Sequence, residues 1–204
     1  MQTEGMLVII SGPSGSGKGT VVNELKKNDS YALSISLTTR KPRPGEIEGV
    51  SYFFCTVEEF ERKRNNNELL EHASFVGNYY GTPRSYVEEQ ILLGKNVVLE
   101  IEVNGALQVK EKFPKSVLIF LIPPTCKELR HRLIKRNTEP SETIEDRMKR
   151  AGKEIEQVYK YDYLVVNDTV EKTVEDIHEI VKAERMKPFR CQSLIDQFKE
   201  GILD

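Results

Sequence analysis

From Met6 to Ile10 every residue is apolar and three are β-branched, the pattern of a strand covered on both faces in a parallel sheet. A glycine-rich turn follows, and Val21, Val22 and Leu25 then fall at helical spacing before the polar stop from Lys26 to Ser30. Strand, turn and helix are predicted in that order. The buried-strand pattern returns from Val97 to Val103, interrupted by Glu100 and Glu102, and again from Val117 to Ile122. Such runs separated by helical stretches predict an α/β architecture with a parallel sheet core flanked by helices.

Pro123 and Pro124 stop the third run, and Thr125 with Glu128 has the spacing of a capping box ahead of a helix that turns Leu129 and Leu133 inward. The segment from Asn137 to Ser141 breaks that helix. Thr143 and Asp146 predict a second cap, opening a long charged helix toward Tyr159 whose few apolar positions predict a solvated or mobile element. Residues 136–150 therefore read as a lid. Tyr163 to Val166 predicts a short strand, and Val170, Val174, Ile177 and Val181 predict an amphipathic closing helix. The stretch 34–86 breaks the alternation of strand and helix. It carries SLTTRKPRPGE, VSYFF, a Thr56–Glu59 capping box and GNYYGTPRS, and reads as an insertion whose loops carry function. One domain over 1–204 is expected, with a core of 1–33, 87–135 and 151–204, an insertion at 34–86 and a lid at 136–150. The tail from Pro188 to Asp204 carries Leu194, Ile195, Phe198, Ile202 and Leu203, which suits either packing on the core or bridging two chains.

Charge and cysteine usage narrow the function classes. Thirty Lys and Arg against thirty-two Asp and Glu leave a formal charge of -2 over 204 residues, so no bulk basic surface invites a nucleic-acid polymer. Any anion site must be built locally. Hydrophobic residues make up 38% and charged ones 30%, which supports a soluble globular protein without a membrane span. Cys55, Cys126 and Cys191 are odd in number and far apart, with no zinc spacing, and His72, His131 and His178 form no constellation. The acidic amino terminus and the short apolar run after it do not fit a signal peptide. A reduced, cytoplasmic setting without structural metal is expected.

The run Gly12, Pro13, Ser14, Gly15, Ser16, Gly17, Lys18, Gly19, Thr20 fits the phosphate-binding pattern G-x-x-x-x-G-K, set between a strand and a helix as that chemistry requires. Phosphate binding needs a main chain that turns its amides inward, followed by a helix whose positive end faces the same point. Lys18 then supplies a point charge between the β and γ phosphates. The usual hydroxyl after the lysine is Gly19 here, and Thr20 follows one place later. Mg2+ is accordingly expected at Thr20, or held mainly by phosphates and water.

Arg40 and Arg43, with Tyr52 and Tyr80, suit a second anion site, since a guanidinium fork matches phosphate and phenols add directed donors. A solvated arginine pair is the alternative at this point. Glu71 with Ser36 suits a guanine edge: a buried carboxylate accepts from N1–H and the 2-amino group, which adenine cannot supply. A surface acid is the alternative for Glu71.

Taken together, GPSGSGKGT, SLTTRKPRPGE, the Tyr52 segment, NELLEHASF, GNYYGTP, LEIEVNGALQV and RLIKRNTEP followed by EDRMKRA resemble a guanylate kinase of the short bacterial form over nearly the whole chain. The resemblance implies a P-loop nucleoside monophosphate kinase fold with a GMP-binding insertion and a lid. It implies transfer of the γ-phosphoryl group of ATP to GMP or dGMP, with Mg2+, in a monomer or homodimer. It carries guanine contacts onto Ser36, Glu71, Thr82 and Glu102, and GMP-phosphate contacts onto Arg40, Arg43, Tyr52 and Tyr80. ATP contacts fall on the P-loop and Asn167, and catalytic charge on Lys18, Arg40, Arg136 and Arg147. Glu102 stands where the family usually has Asp, and Glu100, two residues earlier, is the alternative acid. A kinase for another monophosphate and a non-catalytic module of the same fold are the rival readings.

Overall fold

The computed structural model describes residues 4–136 and 143–203, with the backbone only at Arg136 and Leu203. In chain order, β1 (Leu7–Ser11), α1 (Lys18–Leu25) and β2 (Tyr31–Leu33) are followed by β3 (Leu37–Thr38), β4 (Phe53–Phe54), α2 (Val57–Asn65), β5 (Leu69–Phe75) and β6 (Asn78–Pro83). The chain continues through α3 (Arg84–Leu92), β7 (Asn96–Glu100), α4 (Val103–Lys112), β8 (Val117–Ile122), α5 (Cys126–Arg136), α6 (Ile144–Ile155), β9 (Tyr163–Val166), α7 (Val170–Arg185) and α8 (Gln192–Leu203). The main sheet has the order β2-β7-β1-β8-β9, and all its pairings are parallel. Every residue of β1 is buried, because β1 lies between β7 and β8 and both faces carry helices. On one face Val8 and Ile10 join Val21, Leu25, Ile177 and Val181; on the other Leu7 and Ile9 join Val87, Ala106 and Val109. In an open sheet of this kind ligands bind where the connections leave the carboxyl ends of neighbouring strands in opposite directions. That point is the end of β1.

The insertion is a folded unit with its own sheet, of order β4-β3-β6-β5. Leu37, Phe60 and Leu69 form its small core. Leu69 and Leu70, successive on β5, point to opposite faces as strand geometry dictates: Leu69 enters this small core and Leu70 enters the main one beside Leu7 and Ile9. Two adjacent leucines thus fix the insertion against the body. β6 runs directly into α3, which begins at Arg84.

Three expectations are corrected. The run from Val97 to Val103 is not one strand. β7 ends at Glu100, and Glu102 is the N-cap residue of α4, so the two acids do not share a strand face. The charged helix after Thr143 is not merely solvated, because Ala151 with Ile144 and Met148 packs on Leu129 and Leu133 of α5, and Arg147 is buried. It ends at Ile155, ahead of a 3-10 turn over Val158–Lys160. Thr143 does cap it, accepting from the Asp146 amide. The break from Asn137 to Ser141 lies outside the described residues. The tail forms α8, with Leu194, Phe198 and Ile202 exposed. Among the described residues no helix is long and apolar enough to cross a membrane.

Candidate active site

The glycine run connects the end of β1 to α1, with Gly17 as the helix N-cap at φ 90°. A side chain is strained in that left-handed conformation, and a Cβ there would also lie 2.2 Å from Asn167 Nδ2. The glycine is required twice over. The amides of Thr20 and Val21 both donate to the Gly17 carbonyl at 3.2 Å, so α1 starts directly at the loop and the positive end of its dipole lies there. Lys18 folds over the loop, its Nζ donating to the carbonyls of Gly12 at 2.6 Å and Pro13 at 3.1 Å. Arg147 reaches from α6 to the same loop, donating from Nη2 to Ser14 Oγ at 2.6 Å. The loop is braced from behind by Asn167, whose Nδ2 donates to Ser16 O at 2.8 Å and whose Oδ1 accepts from Thr173 Oγ1 at 3.0 Å. Asn167, buried and bonded through both ends of its amide, thus ties the loop to α7; it is the residue on which the resemblance placed an ATP contact.

A cavity of about 690 Å³ opens above the loop, lined by P-loop residues, Glu100, Glu102, Arg132, Arg147, Arg150 and Glu154. Arg132 pairs with Glu128, at 2.7 Å, and both Arg132 and Arg150 line the cleft. The signal for Arg150 is its position one helical turn from Arg147. The side chain of Arg136 lies outside the described residues.

The acceptor side is assembled from side chains. On β5, beside an irregularity of register between Leu69 and His72, Glu71 is only 6% exposed. Thr82 of β6, fully buried, donates from Oγ1 to Glu71 Oε1 at 2.7 Å. Burial pushes the Glu71 carboxyl above its ordinary pKa, an effect that Thr82 and the charge of Lys112 partly oppose. A carboxylate so enclosed calls for further donors. Gly105 of α4 lies on the other side of it, where a Cβ would stand 3.5 Å from Glu71 Oε2, so α4 runs from the acid pocket to the cleft, which Glu102 lines at the N-cap position. Ser36 stands ahead of β3 and its carbonyl accepts from the Phe53 amide.

Arg40, Tyr52 and Tyr80 converge. The Arg40 guanidinium carbon is 5.2 Å from the centre of the Tyr52 ring, and the Tyr52 and Tyr80 rings meet edge to face at 6.1 Å. Arg40 Nη2 donates to Glu46 Oε1 at 2.7 Å and its Nη1 to the Lys41 carbonyl at 2.9 Å. Glu46 holds the Arg40 pKa up, with Tyr80 adding to it, and Arg40 in turn holds the Glu46 carboxyl low. Arg43 has an exposed side chain. Glu46 was not singled out from sequence, where only its place in the PRPGE string was visible.

Comparison with known proteins points to one family. A family model described as guanylate kinase matches residues 4–184. The chain is 51% identical to a guanylate kinase of Clostridium tetani over 98% of this chain and 96% of that one. It is 52% identical to a guanylate kinase of Halalkalibacterium halodurans over 98% and 97% of the two chains. A crystal structure of guanylate kinase from Anaplasma phagocytophilum superposes with a TM-score of 0.71 at 37% identity, covering 93% of this chain and 90% of that one. With a single family model spanning the P-loop, the insertion and the α5–α6 pair, the chain belongs to the guanylate kinase family.

Proposed function

We propose that this protein transfers the γ-phosphoryl group of ATP to GMP or dGMP, releasing ADP and GDP. The observation that carries the reading is the pairing of two unlike anion pockets on one cleft. One is a main-chain cradle with Lys18; the other is a buried Glu71–Thr82 pair beside Arg40, Tyr52 and Tyr80. Triphosphate binds along Gly12–Thr20, and Lys18 offsets charge between the β and γ positions. Glu71 accepts from guanine N1–H and the 2-amino group, with Ser36 and Thr82 completing the base pocket. Arg40, Arg43, Tyr52 and Tyr80 hold the acceptor phosphate so that one of its oxygens faces the γ-phosphorus in line. That oxygen is already ionised near neutral pH, so the step asks for no general base. Arg147, with Arg136, neutralises charge on the transferred group, and closure of 136–150 over the cleft excludes water and limits hydrolysis.

The residues present fit Mg2+ as an ion held with few protein donors. Thr20 offers an exposed hydroxyl in the first turn of α1. Glu100 brings both carboxylate oxygens to the cleft, 3.6 and 3.7 Å from where a Cβ on Gly19 would lie. Among the described residues no group of three or more His, Cys, Asp or Glu gathers to hold a metal ion by itself. Such oxygen donors suit Mg2+, which keeps most of its ligands as phosphate oxygens and water. When bound, the ion neutralises charge on the β and γ oxygens. Glu102 stands at the cleft between the two pockets and serves the acceptor side. A cytoplasmic enzyme, monomeric or homodimeric, suits this reading.

The test is a coupled assay of ADP release with GMP, AMP, CMP and dTMP, each with Mg2+ and with EDTA. GMP is expected to lead by a factor of about 10² or more, and EDTA is expected to abolish turnover. A preference for AMP removes the role of Glu71, and inactivity on all four acceptors overturns the reading.

A further inference from the structure

We infer that Glu46 is a positioning residue for the acceptor phosphate, holding Arg40 and Arg43 in a preset arrangement before any nucleotide arrives. The inference rests on the phosphate-transfer reading above, and on the geometry of a single carboxylate. Its two oxygens are divided between the two arginines: Oε1 accepts from Arg40 Nη2 at 2.7 Å, and Oε2 accepts from the backbone amide of Arg43, also at 2.7 Å. Neither oxygen duplicates the other.

The backbone between the arginines is shaped for this. Arg43-Pro44-Gly45-Glu46 closes a turn in which the Glu46 amide donates to the Arg43 carbonyl at 3.1 Å. Proline at the second place and glycine with φ 87° at the third are what a type II turn demands. The carboxylate then returns across the turn to the Arg43 amide, so Arg43 is tied to Glu46 through both its carbonyl and its amide. The other oxygen reaches the guanidinium that lies over Tyr52. Both partners of the ion pair are largely shielded, with side-chain exposures of 13% for Arg40 and 20% for Glu46, which sets this pair apart from exposed ones of little consequence.

Without Glu46 the Arg40 guanidinium loses its charged partner and the turn loses its second tie. A phosphate would then have to order both arginines on binding, at a cost in affinity. With Glu46 in place the Arg40 guanidinium and the Arg43 backbone are ordered beforehand, and the Arg40 fork presents one fixed orientation, which in-line transfer needs. Glu46 touches no substrate in this account and acts only through the arginines.

The test uses Glu46→Gln, which keeps the shape and one acceptor but loses the charge and the second acceptor. Calorimetry measures GMP and guanosine binding to the full chain, with steady-state kinetics and melting alongside. Expected is a loss of GMP affinity of about 10- to 100-fold, guanosine affinity and the KM for ATP within about twofold, and an unchanged melting temperature. In an Arg40→Met background the same substitution should cost GMP binding less than about threefold, since coupled residues are not additive. Unchanged GMP affinity in Glu46→Gln overturns the inference. So does an equal loss for GMP and guanosine, which would mean that Glu46 merely keeps the insertion folded, and so does full additivity with Arg40→Met. Failure of the unmodified protein to bind GMP would be a different result, overturning the functional reading and this inference with it.

Discussion

The two sides of the cleft are built on opposite plans. The donor side is one unbroken run of nine residues, Gly12 to Thr20, in which the main chain makes the cradle and most side chains are absent or turned away. The acceptor side takes Arg40 and Arg43 from one loop, Tyr52 from a second segment, Glu71 from β5, and Tyr80 and Thr82 from β6. A small core of Leu37, Phe60 and Leu69 holds these strands together. A cradle of amides recognises any polyphosphate tail and is indifferent to the base, whereas a buried carboxylate recognises one pattern of donors. Reactivity is therefore concentrated on one side and selectivity on the other, and substitutions should separate them.

The largest separation is expected from Lys18→Met. On the proposed mechanism it removes the one side-chain charge of the cradle, and turnover should fall by about 10³-fold or more. GMP binding, measured by calorimetry, should be unaffected. The melting temperature should stay close to that of the parent, because Nζ donates to the carbonyls of Gly12 and Pro13, within the loop itself. Turnover near the parental rate would erase the donor side's claim to the chemistry.

Glu71→Gln should break the other side. Its amide presents donors to a guanine edge that also donates, so kcat/KM for GMP should fall by about 10²- to 10³-fold while the KM for ATP holds. Stability without ligand should move the opposite way. Burial raises the Glu71 pKa in the folded protein, so the folded state carries an ionised, desolvated carboxylate at a cost that is absent below the ordinary carboxylate range, where the group is protonated whether folded or not. The cost appears as pH rises through the raised folded pKa. Glu71→Gln should hence melt higher than the parent at neutral pH, with the gap closing toward acid. Melting curves across pH check this; a variant that melts lower at every pH would show that Glu71 stabilises the insertion and does not strain it.

The same contrast explains what was legible in the chain. The cradle is contiguous, and the strand before it and helix after it carry their own periodicity, so β1, α1 and the loop between them follow from residues 6–25. β8 and β9 follow too, each a short apolar run with turn residues around it. The acceptor side gives no such local signal: pattern alone left Glu71 a surface acid or a base contact, and its partner Thr82 is eleven residues away, brought across by the pairing of β5 with β6. Glu102 misled because an acid between apolar residues fits a strand as well as a helix N-cap. α6 misled because three of its inward residues, Ile144, Met148 and Ala151, are spaced by four and three in a segment otherwise crowded with charge, and Arg147 beside them is buried by the site itself.

The smallest effect probes how far the donor side depends on side chains other than Lys18. Ser14 Oγ accepts from Arg147 Nη2 at 2.6 Å, but α6 is held on α5 by Leu129, Leu133, Ala151, Ile144 and Met148 whether or not that bond forms. Ser14→Ala removes one partly buried hydrogen bond, an effect of about 1 kcal/mol. On the proposed mechanism Arg147 must leave Ser14 to meet the transferred phosphate, so the bond competes with the donor. Its loss should lower the KM for ATP by up to about fivefold, the equivalent of that 1 kcal/mol, with kcat and the KM for GMP unchanged. If the KM for ATP rose instead, Ser14 would belong to the cradle as a side-chain ligand, and the division into a main-chain side and a side-chain side would have to be redrawn.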